Sequence, residues 1–362
     1  MVILSFTVPI YAYMLGASPL LIGLIGGSGS LVYSLMPLLF GLISDRLGRK
    51  RLLVSSMFIH SFSAILYSSV YEPTLLIPIK VVEWLAAASF WPSVEALIVE
   101  ASEKPIEKTL RMFNISWGSA VIVGPVIAGN LIEYLNVNTP FFLAASISFT
   151  VGLSSLALIR ETFKKQNTLV ERQRMRRDKG GLSKFLITIS SILLFSFTSG
   201  IVYSLFPAFA LSLEISPNEI GFLILVIGLF RIIAFFKAEK LERKIGKVGV
   251  FLIGSTLLAS ASLGIAYGKN VFTFTTPLAL LGFAFGASYS SALSFMLSRE
   301  SGRGSAAGAF ESMLGLGYFI GSVIGGTVAE INQSMPYIFA STLGFMTGLA
   351  QLIAVWKKHI KF

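Results

Sequence analysis

The chain consists largely of apolar stretches of about 20 residues, the length that a helix needs to cross the hydrocarbon core of a bilayer. Only 13% of its 362 residues are charged, against about 25% in soluble domains. Backbone polar groups in lipid require helices or a closed barrel, and runs such as 249–267 lack the alternation of a barrel strand. The sequence therefore predicts an all-helical membrane protein and excludes a soluble fold.

The apolar stretches predict twelve transmembrane helices. We place them at residues 1–16, 20–43, 51–71, 75–101, 108–133, 139–159, 184–211, 217–237, 247–267, 271–298, 305–330 and 335–356. The first six form an N-terminal six-helix bundle at 1–159 and the last six a C-terminal bundle at 184–356. A charged cytoplasmic linker at 160–183 joins the bundles, and a short cytoplasmic tail follows at 357–362.

Lys and Arg are concentrated in alternate loops. Of the 29 Lys and Arg residues, 26 fall in even-numbered loops or in the tail. Since cations are retained on the cytoplasmic side, we expect a multi-pass protein of the cell membrane with a cytoplasmic C-terminus. The net charge of +11 then reflects topology rather than a nucleic-acid partner, because the cations do not form one basic face. The absence of Cys excludes disulfides and thiolate metal sites, and no cleavable signal peptide is expected.

The two halves resemble each other at an offset of 197 or 198 residues. SPLLIG at 18–23 returns as SPNEIG at 216–221, and GPVIAGNLIE at 124–133 returns as GSVIGGTVAE at 321–330. Helices n and n+6 run in the same direction, so the repeat is parallel and the bundles are pseudo-symmetric. The alignment pairs Pro9 with Pro207, which predicts that helix 1 is truncated by about fourteen residues. We favour a misplaced start over a helix that lacks its cytoplasmic half.

The loop after predicted helix 2 carries the sequence GLISDRLGRKR at 41–51. It matches the signature Gly-x-x-x-Asp-Arg-x-Gly-Arg-Arg/Lys, and with twelve helices, a basic central loop and related halves the whole chain resembles the major facilitator superfamily. The resemblance implies the major facilitator fold and a conformational latch, formed when this loop engages the start of helix 11 and acids at the end of helix 4. The latch residues are Gly41, Asp45, Arg46, Gly48, Arg49, Lys50, Glu100 and Arg111. The alternative is a basic loop that only sets topology.

Four charged residues within predicted helices 4 and 11 are candidates for proton coupling. LIPIKVVEWLA at 76–86 partly matches the family's helix 4 motif, with Lys80 in the place of Arg. Lys80 and Glu83 are three residues apart on one helical face and can pair and exchange a proton. Glu95 and Glu311 are intramembrane acids, which are costly unless they face a cavity or a partner. In the alternatives, Lys80 snorkels to the outer surface and the two acids act as interfacial latch residues.

Predicted helix 5 resembles the Gly-Pro signature of the family's antiporters, although two of its glycines are replaced. The matching residues are Gly118, Gly124, Pro125 and Gly129. Small residues let helices pack closely, and a proline bends the helix. The resemblance favours export, and the alternative is close packing without directional meaning.

Aromatic residues crowd the helices that line the central path in proteins of this family. The substrate-cavity candidates are Tyr11, Tyr13, Trp84, Trp91, Phe206, Phe209 and Tyr289. They would form an apolar, cation-tolerant pocket, although lipid-facing belts explain many such aromatics equally well. Arg231, placed near the cytoplasmic end of predicted helix 8, is interpreted as a snorkelling residue.

These features predict a secondary active transporter that works by alternating access, most similar to the drug:proton antiporter branches and exporting hydrophobic or drug-like compounds. Its expected partners are a small-molecule substrate, protons and the lipid bilayer, and we expect a monomer. We expect no cofactor, metal or enzymatic activity, since the sequence has no nucleotide-binding loop and no evident nucleophile–base or metal-ligand set. Two alternatives stay open: proton-coupled uptake of a sugar, organic acid or other metabolite, and a non-transporting membrane sensor.

Overall fold

The computed structural model describes residues 1–101, 106–159, 181–297 and 303–358. Within these ranges the backbone alone is described at 38, 41–42, 44–47, 96, 99–101, 106–115, 181–182, 297, 303–307 and 357–358. Most of the predicted linker and the end of the predicted tail therefore lie outside the described residues.

Twelve helices follow one another along the described chain, in the order that the sequence predicts. They are α1 Val2–Met14, α2 Pro19–Leu47, α3 Arg49–Ser68, α4 Leu76–Ala101, α5 Ile106–Tyr134, α6 Thr139–Leu158, α7 Gly181–Ser212, α8 and α9 within Pro217–Tyr267, α10 Val271–Leu297, α11 Arg303–Ala329 and α12 Met335–Lys358. A 3₁₀ turn, Pro73–Leu75, precedes α4, and the described residues contain no strand. The all-helical prediction is confirmed.

Two glycines break the chain at equivalent places in the two halves. Gly246 has φ 70° and ψ 164°, which separates α8 (217–245) from α9 (247–267). Gly48 has φ 96° and ψ 138° and lies at the turn between α2 and α3. A side chain is strained at such positive φ angles, which explains why glycine occupies both turns.

Among the described residues, eight helical stretches are long and apolar enough to cross a membrane by length and composition, and one of them, Pro217–Tyr267, contains both α8 and α9. The chain is thus a multi-pass membrane protein. We call the end that carries the α2–α3 and α8–α9 turns the cation-rich end. The opposite end, with the α1–α2, α7–α8 and α11–α12 turns, is the cation-poor end.

The two halves meet along two seams, one between α2 and α11 and the other between α5 and α8. At the first seam, a Cβ atom on Gly23 would lie 2.3 Å from the carbonyl oxygen of Ser322 and 3.0 Å from the Cα of Gly326. At the second, a Cβ atom on Gly129 would lie 2.4 Å from the carbonyl oxygen of Pro217. These distances leave no room for side chains, so the backbones contact each other directly.

The glycine contacts at the two seams occur at equivalent positions of the sequence repeat. Gly23 corresponds to Gly221, and a Cβ atom on Gly221 would lie 2.5 Å from the carbonyl oxygen of Pro125. Gly326 corresponds to Gly129, and both face the first turn of a helix in the other half. The parallel repeat predicted from sequence is therefore a repeat of contacts as well as of helices.

Candidate functional site

The first half holds a buried charge pair. Lys80 and Glu83 on α4 are 4% and 2% exposed, and Lys80 Nζ donates to Glu83 Oε2 at 2.9 Å. The hydroxyl of Tyr67 on α3 donates to the same oxygen at 2.8 Å. The pairing predicted from their spacing is present. Lys80 does not snorkel, because its ammonium is turned to a partner inside the bundle.

Next to this pair, a void of about 20 Å³ lies between the halves. Lys80 and Trp84 line it from α4, and Tyr203, Ser204 and Tyr318 line it from the second half. Such a void has room for about one water molecule. This part of the interface is closed to any larger solute in the conformation described.

The second half holds a cation among aromatic rings. The guanidinium of Arg231 on α8 lies 5.5 Å from the ring centre of Tyr289 on α10 and 5.8 Å from those of Trp117 on α5 and Phe235 on α8. The side chain of Tyr203 on α7 also lies close to it. Because Trp117 belongs to the first half, Arg231 joins the two halves beside the α5–α8 seam.

Two acids lie near this cation and its rings, Glu311 from the same half and Glu95 from the other half. Glu311 on α11 is half-buried and lies within electrostatic range of both Glu95 and Arg231. Glu95 on α4 has an exposed side chain, yet its charge reaches Tyr33 on α2 as well as Tyr289. Glu95 therefore lies near residues of both halves.

We call six of these residues the central cluster: Tyr33, Glu95, Trp117, Arg231, Tyr289 and Glu311. They come from α2, α4, α5, α8, α10 and α11, so both halves contribute. Further rings surround the cluster. Phe310 and Phe195 pack on Tyr289 at 5.2 and 6.3 Å between centroids, and Trp91 packs on Trp117 at 6.4 Å.

Arg231 corrects the sequence interpretation. Predicted helix 8 ends at 237, which would place Arg231 near the membrane surface, whereas α8 continues to 245. Arg231 lies midway along this helix and is surrounded by aromatic rings, so it does not snorkel. The charged residues from 237 to 245 extend the helix beyond its apolar part because Lys, Glu and Arg are good helix formers.

The seven aromatic residues predicted to line the cavity lie in different surroundings. Trp84 lines the void, Trp91 stacks beside the central cluster, and Tyr289 belongs to it. Tyr13 is half-buried against the hydrophobic core. Another three pack within single halves, and for these the cavity placement is corrected: Tyr11, Phe206 and Phe209.

Each of those three side chains has local partners that explain its burial. The hydroxyl of Tyr11 donates to the carbonyl of Val70 at 2.5 Å, and its ring packs on Phe141. Phe206 and Phe209 pack on Phe274, at 5.1 and 6.1 Å between centroids. Apolar packing within a bundle, not exposure to a central path, determines their positions.

The predicted latch is only partly within reach of the structure. Gly48 forms the turn, and Arg49 and Lys50 begin α3. The structure describes only the backbone of the other latch residues, which are Gly41, Asp45, Arg46, Glu100 and Arg111. The same holds for Ser305 at the start of α11. The latch stays a prediction.

The helix 5 motif lies at contacts between helices. Gly129 and Pro125 form the α5–α8 seam described above. A Cβ atom on Gly118 would lie 3.3 Å from the side chain of Ile232, and one on Gly124 would lie 2.9 Å from the side chain of Val2 on α1. The motif thus serves close packing, the simpler of the two interpretations, and its directional meaning stays a prediction.

With this geometry established, the family assignment follows from sequence comparison. The Major Facilitator Superfamily profile matches residues 1–298 and 188–360. The chain belongs to the major facilitator superfamily. It is therefore a transporter-family protein, and its twelve helices, related halves and Gly48 turn are the features that the resemblance implies.

Relatives of this major facilitator chain include multidrug resistance proteins at low identity. Multidrug resistance protein 1 of Bacillus subtilis is 26% identical over 88% of this chain and 82% of its own length. The quinolone resistance protein NorA of Staphylococcus aureus is 23% identical over 97% and 91%. An uncharacterized MFS-type transporter of Methanocaldococcus jannaschii is 24% identical over 96% and 92%.

Solved structures agree on the fold. The nucleoside transporter NupG superposes with a TM-score of 0.80 at 17% identity, covering 98% of this chain and 96% of its own. A bacterial homologue of the lysosomal transporter Spinster, in an inward-facing and occupied conformation, superposes with a TM-score of 0.68 at 14% identity, covering 98% and 94%. At such identities the likeness supports the architecture alone.

Several residues of the site are absent from the sequence prediction. Tyr33, Trp117, Phe235 and Phe310 surround Arg231 and Glu311, yet none follows from a motif. Arg231 is the one sequence feature that could have indicated them, since a cation inside a membrane helix requires partners. Among the residues that the structure describes, no group of three potential metal ligands occurs.

Proposed function

We propose that this protein is a secondary active transporter that exports hydrophobic or drug-like compounds in exchange for protons, by alternating access between the halves. The cation-rich end faces the cytoplasm, following the distribution of Lys and Arg. A single chain supplies both halves of the interface and acts as a monomer. The loop at 41–51 acts as the latch at the cation-rich end.

The observation that carries the proposal is the pair of acids within an aromatic shell at the interface. Glu95 and Glu311 come from opposite halves and lie within electrostatic range of each other. Carboxylates are costly inside a membrane unless a proton, a cation or a partner compensates their charge. The rings of Trp117 and Tyr289 add faces that attract cations and apolar groups. A site of this kind suits exchange between a proton and a lipophilic, often cationic, solute.

The names of the multidrug relatives support the same direction. Lys80 and Glu83 neutralise each other inside the first half, which makes them weaker coupling candidates than Glu95 and Glu311. We retain all four residues in the test because a buried pair can also exchange a proton.

Flux into proteoliposomes tests function and direction together, with ethidium as the fluorescent probe. Proton exchange predicts that ethidium accumulates in the lumen when the lumen is more acidic than the bath. A protonophore should then abolish the ethidium fluorescence change. Proton-coupled uptake predicts accumulation only with the opposite gradient. A sensor predicts no flux with either gradient, and that result would refute the proposal.

Glu83→Gln, Glu95→Gln and Glu311→Gln identify the coupling acid. We expect Glu95→Gln and Glu311→Gln to lose accumulation against the gradient, and Glu83→Gln to lose less. If all three variants accumulated ethidium as the wild type does, these acids would not be the coupling sites.

A further inference from the structure

Arg231 and Lys80 are the two cations of the sequence that lie more than four residues inside a predicted membrane helix. The two differ in their partners. Lys80 is neutralised by Glu83 at 2.9 Å. For Arg231 the described part of the chain shows ring faces and the Tyr203 side chain but no ion pair. A cation inside the membrane that forms no ion pair among the described residues calls for a functional explanation.

The guanidinium also has a spare donor. Arg231 Nε is buried and has no hydrogen-bond partner among the described residues. A buried donor without a partner carries a desolvation cost, which a carboxylate acceptor would remove. Glu311 is the acid within electrostatic range of Arg231, so its carboxylate is the natural acceptor when the interface rearranges.

The described charges of the central cluster can be counted. Glu95 and Glu311 carry two negative charges when ionised, and Arg231 carries one positive charge at all relevant pH values. The tyrosines that face them, Tyr33, Tyr203 and Tyr289, are neutral acids, and the neighbouring pair of Lys80 and Glu83 adds no net charge. With both acids ionised, the described charges of the cluster therefore sum to minus one. In a low-dielectric site this charge is balanced by a single positive charge.

We propose that Arg231 is a specificity residue that holds the central site one positive charge short of neutrality, so that the site takes either one proton or one monovalent aromatic cation. The proposal rests on the proposed function and defines its substrate class. A proton and a monovalent cation then compete for the same charge deficit, which couples their movements in opposite directions. A divalent cation would leave the site positive by one unit, and is disfavoured.

The role of Arg231 predicts that selectivity follows net charge rather than shape. Arg231→Gln changes the net charge of the site to minus two, so a divalent cation becomes the ligand that neutralises it. Arg231→Lys keeps the charge and should keep the wild-type selectivity, with weaker ring contacts because an ammonium lacks the planar fork. Adding Glu95→Gln to Arg231→Gln returns the site to minus one and should restore the wild-type preference.

Ethidium and propidium test this directly, because they share one aromatic ring system and carry one and two positive charges. Flux of each dye is measured in proteoliposomes with an acidic lumen, for the wild type, Arg231→Gln, Arg231→Lys and Arg231→Gln/Glu95→Gln. Lys269→Gln, which removes an exposed cation from the cation-poor end, controls for overall charge. Size-exclusion profiles and thermal unfolding in detergent show that each variant is folded.

We expect the ratio of propidium to ethidium flux to rise at least about tenfold in Arg231→Gln and to return in the double variant. Dye-induced proton release in detergent should be about one per ethidium in the wild type, matching the single charge deficit. An unchanged ratio in Arg231→Gln, or a double variant that fails to recover, overturns the role of Arg231 while export stands. If Arg231→Gln does not fold, Glu95→Gln alone decides, since a neutral site should lose ethidium binding. Absence of flux of either dye in the wild type would overturn the proposed function and this assignment with it.

Discussion

Glu330 Oε1 accepts a hydrogen bond from the backbone N–H of Leu20, with 2.8 Å between the two atoms. The bond joins the end of α11 to the first turn of α2, across the first seam and at its cation-poor end. The N–H of Leu20, and then the hydroxyl of Ser18, lower the pKa of the Glu330 carboxyl. An acid of the second half thus caps a helix of the first half.

The equivalent acid of the other seam does not form this contact. Glu133 corresponds to Glu330 in the repeat and has an exposed side chain. At the start of α8, the N–H of Ser216 donates to Glu219 of the same helix at 3.0 Å. In this conformation the α2–α11 seam therefore has an interdomain cap, whereas the start of α8 is capped from within its own helix.

Removing the Glu330 charge should loosen the cation-poor end. A carboxylate at a helix N-terminus contributes about 0.3–1 kcal/mol, so we expect Glu330→Gln to raise the ratio of open to closed forms about two- to fivefold. Because the chain lacks native Cys, spin labels at Met14→Cys and Ile331→Cys can report the distance across this end. Glu133→Gln is the matched control and should leave the distance distribution unchanged. A Glu330→Gln distribution identical to that of the wild type would contradict the role of this cap.

The same labels give a pH dependence with a defined sign. The hydrogen bonds favour the carboxylate, so the pKa of Glu330 in the closed form lies below its ordinary value of 4.5. Their contribution is fully present above that value and is lost as the pH falls through the lowered pKa. The wild-type distribution should approach that of Glu330→Gln in acid, while Glu330→Gln itself should lose this component of the pH response. An equally large response in both proteins would assign it to another group.

The buried pair of Lys80 and Glu83 should stabilise the fold only while both charges are present, because each compensates the other. Tyr67→Phe removes one donor to Glu83 and should lower stability by about 1–3 kcal/mol. Lys80→Met leaves the acid without its counter-charge and should cost about 3–5 kcal/mol, whereas Lys80→Met/Glu83→Gln should recover much of that loss. Thermal unfolding in detergent measures the series. If the double variant were no more stable than Lys80→Met, the pair would not be a self-neutralising unit.

The two seams should be equally intolerant of side chains. Gly23→Ala and Gly129→Ala place a Cβ atom 2.3 and 2.4 Å from a facing carbonyl oxygen, so each should destabilise the closed form by about 1–3 kcal/mol. Gly348→Ala is the control, because its Cβ atom would meet its nearest neighbour at 3.6 Å. Unfolding temperatures of the three variants provide the comparison, and a Gly348→Ala protein as unstable as the other two would refute the explanation.

The break at Gly246 should depend on its backbone conformation. A residue with a Cβ atom is strained at φ 70° and ψ 164°, so Gly246→Ala should cost about 1–3 kcal/mol or straighten the junction of α8 with α9. Chemical denaturation measures the first outcome, and spin-label distances across the junction measure the second. An unaltered stability and distance would show that the turn does not need glycine.

Local features of this fold are readable from sequence, and contacts between helices are not. Hydropathy locates the helices because each must span the same thickness of lipid. The pair of Lys80 and Glu83 is predictable because its spacing is fixed by a single helix. In contrast, Trp117 meets Arg231 only through the crossing of α5 and α8, which no local pattern encodes. The end of α8 was missed for a related reason, since its last turns are charged and resemble a loop.

The glycine crossings have a consequence for leakage. Where backbone meets backbone there are no rotamers to relax, so a crossing cannot widen gradually by rearranging side chains. We infer that each seam is either shut or parted along its whole length, in the manner of a two-state switch. If the protein exchanges protons for solute as proposed, few partly open forms should occur at these crossings, and proton leakage should be correspondingly low.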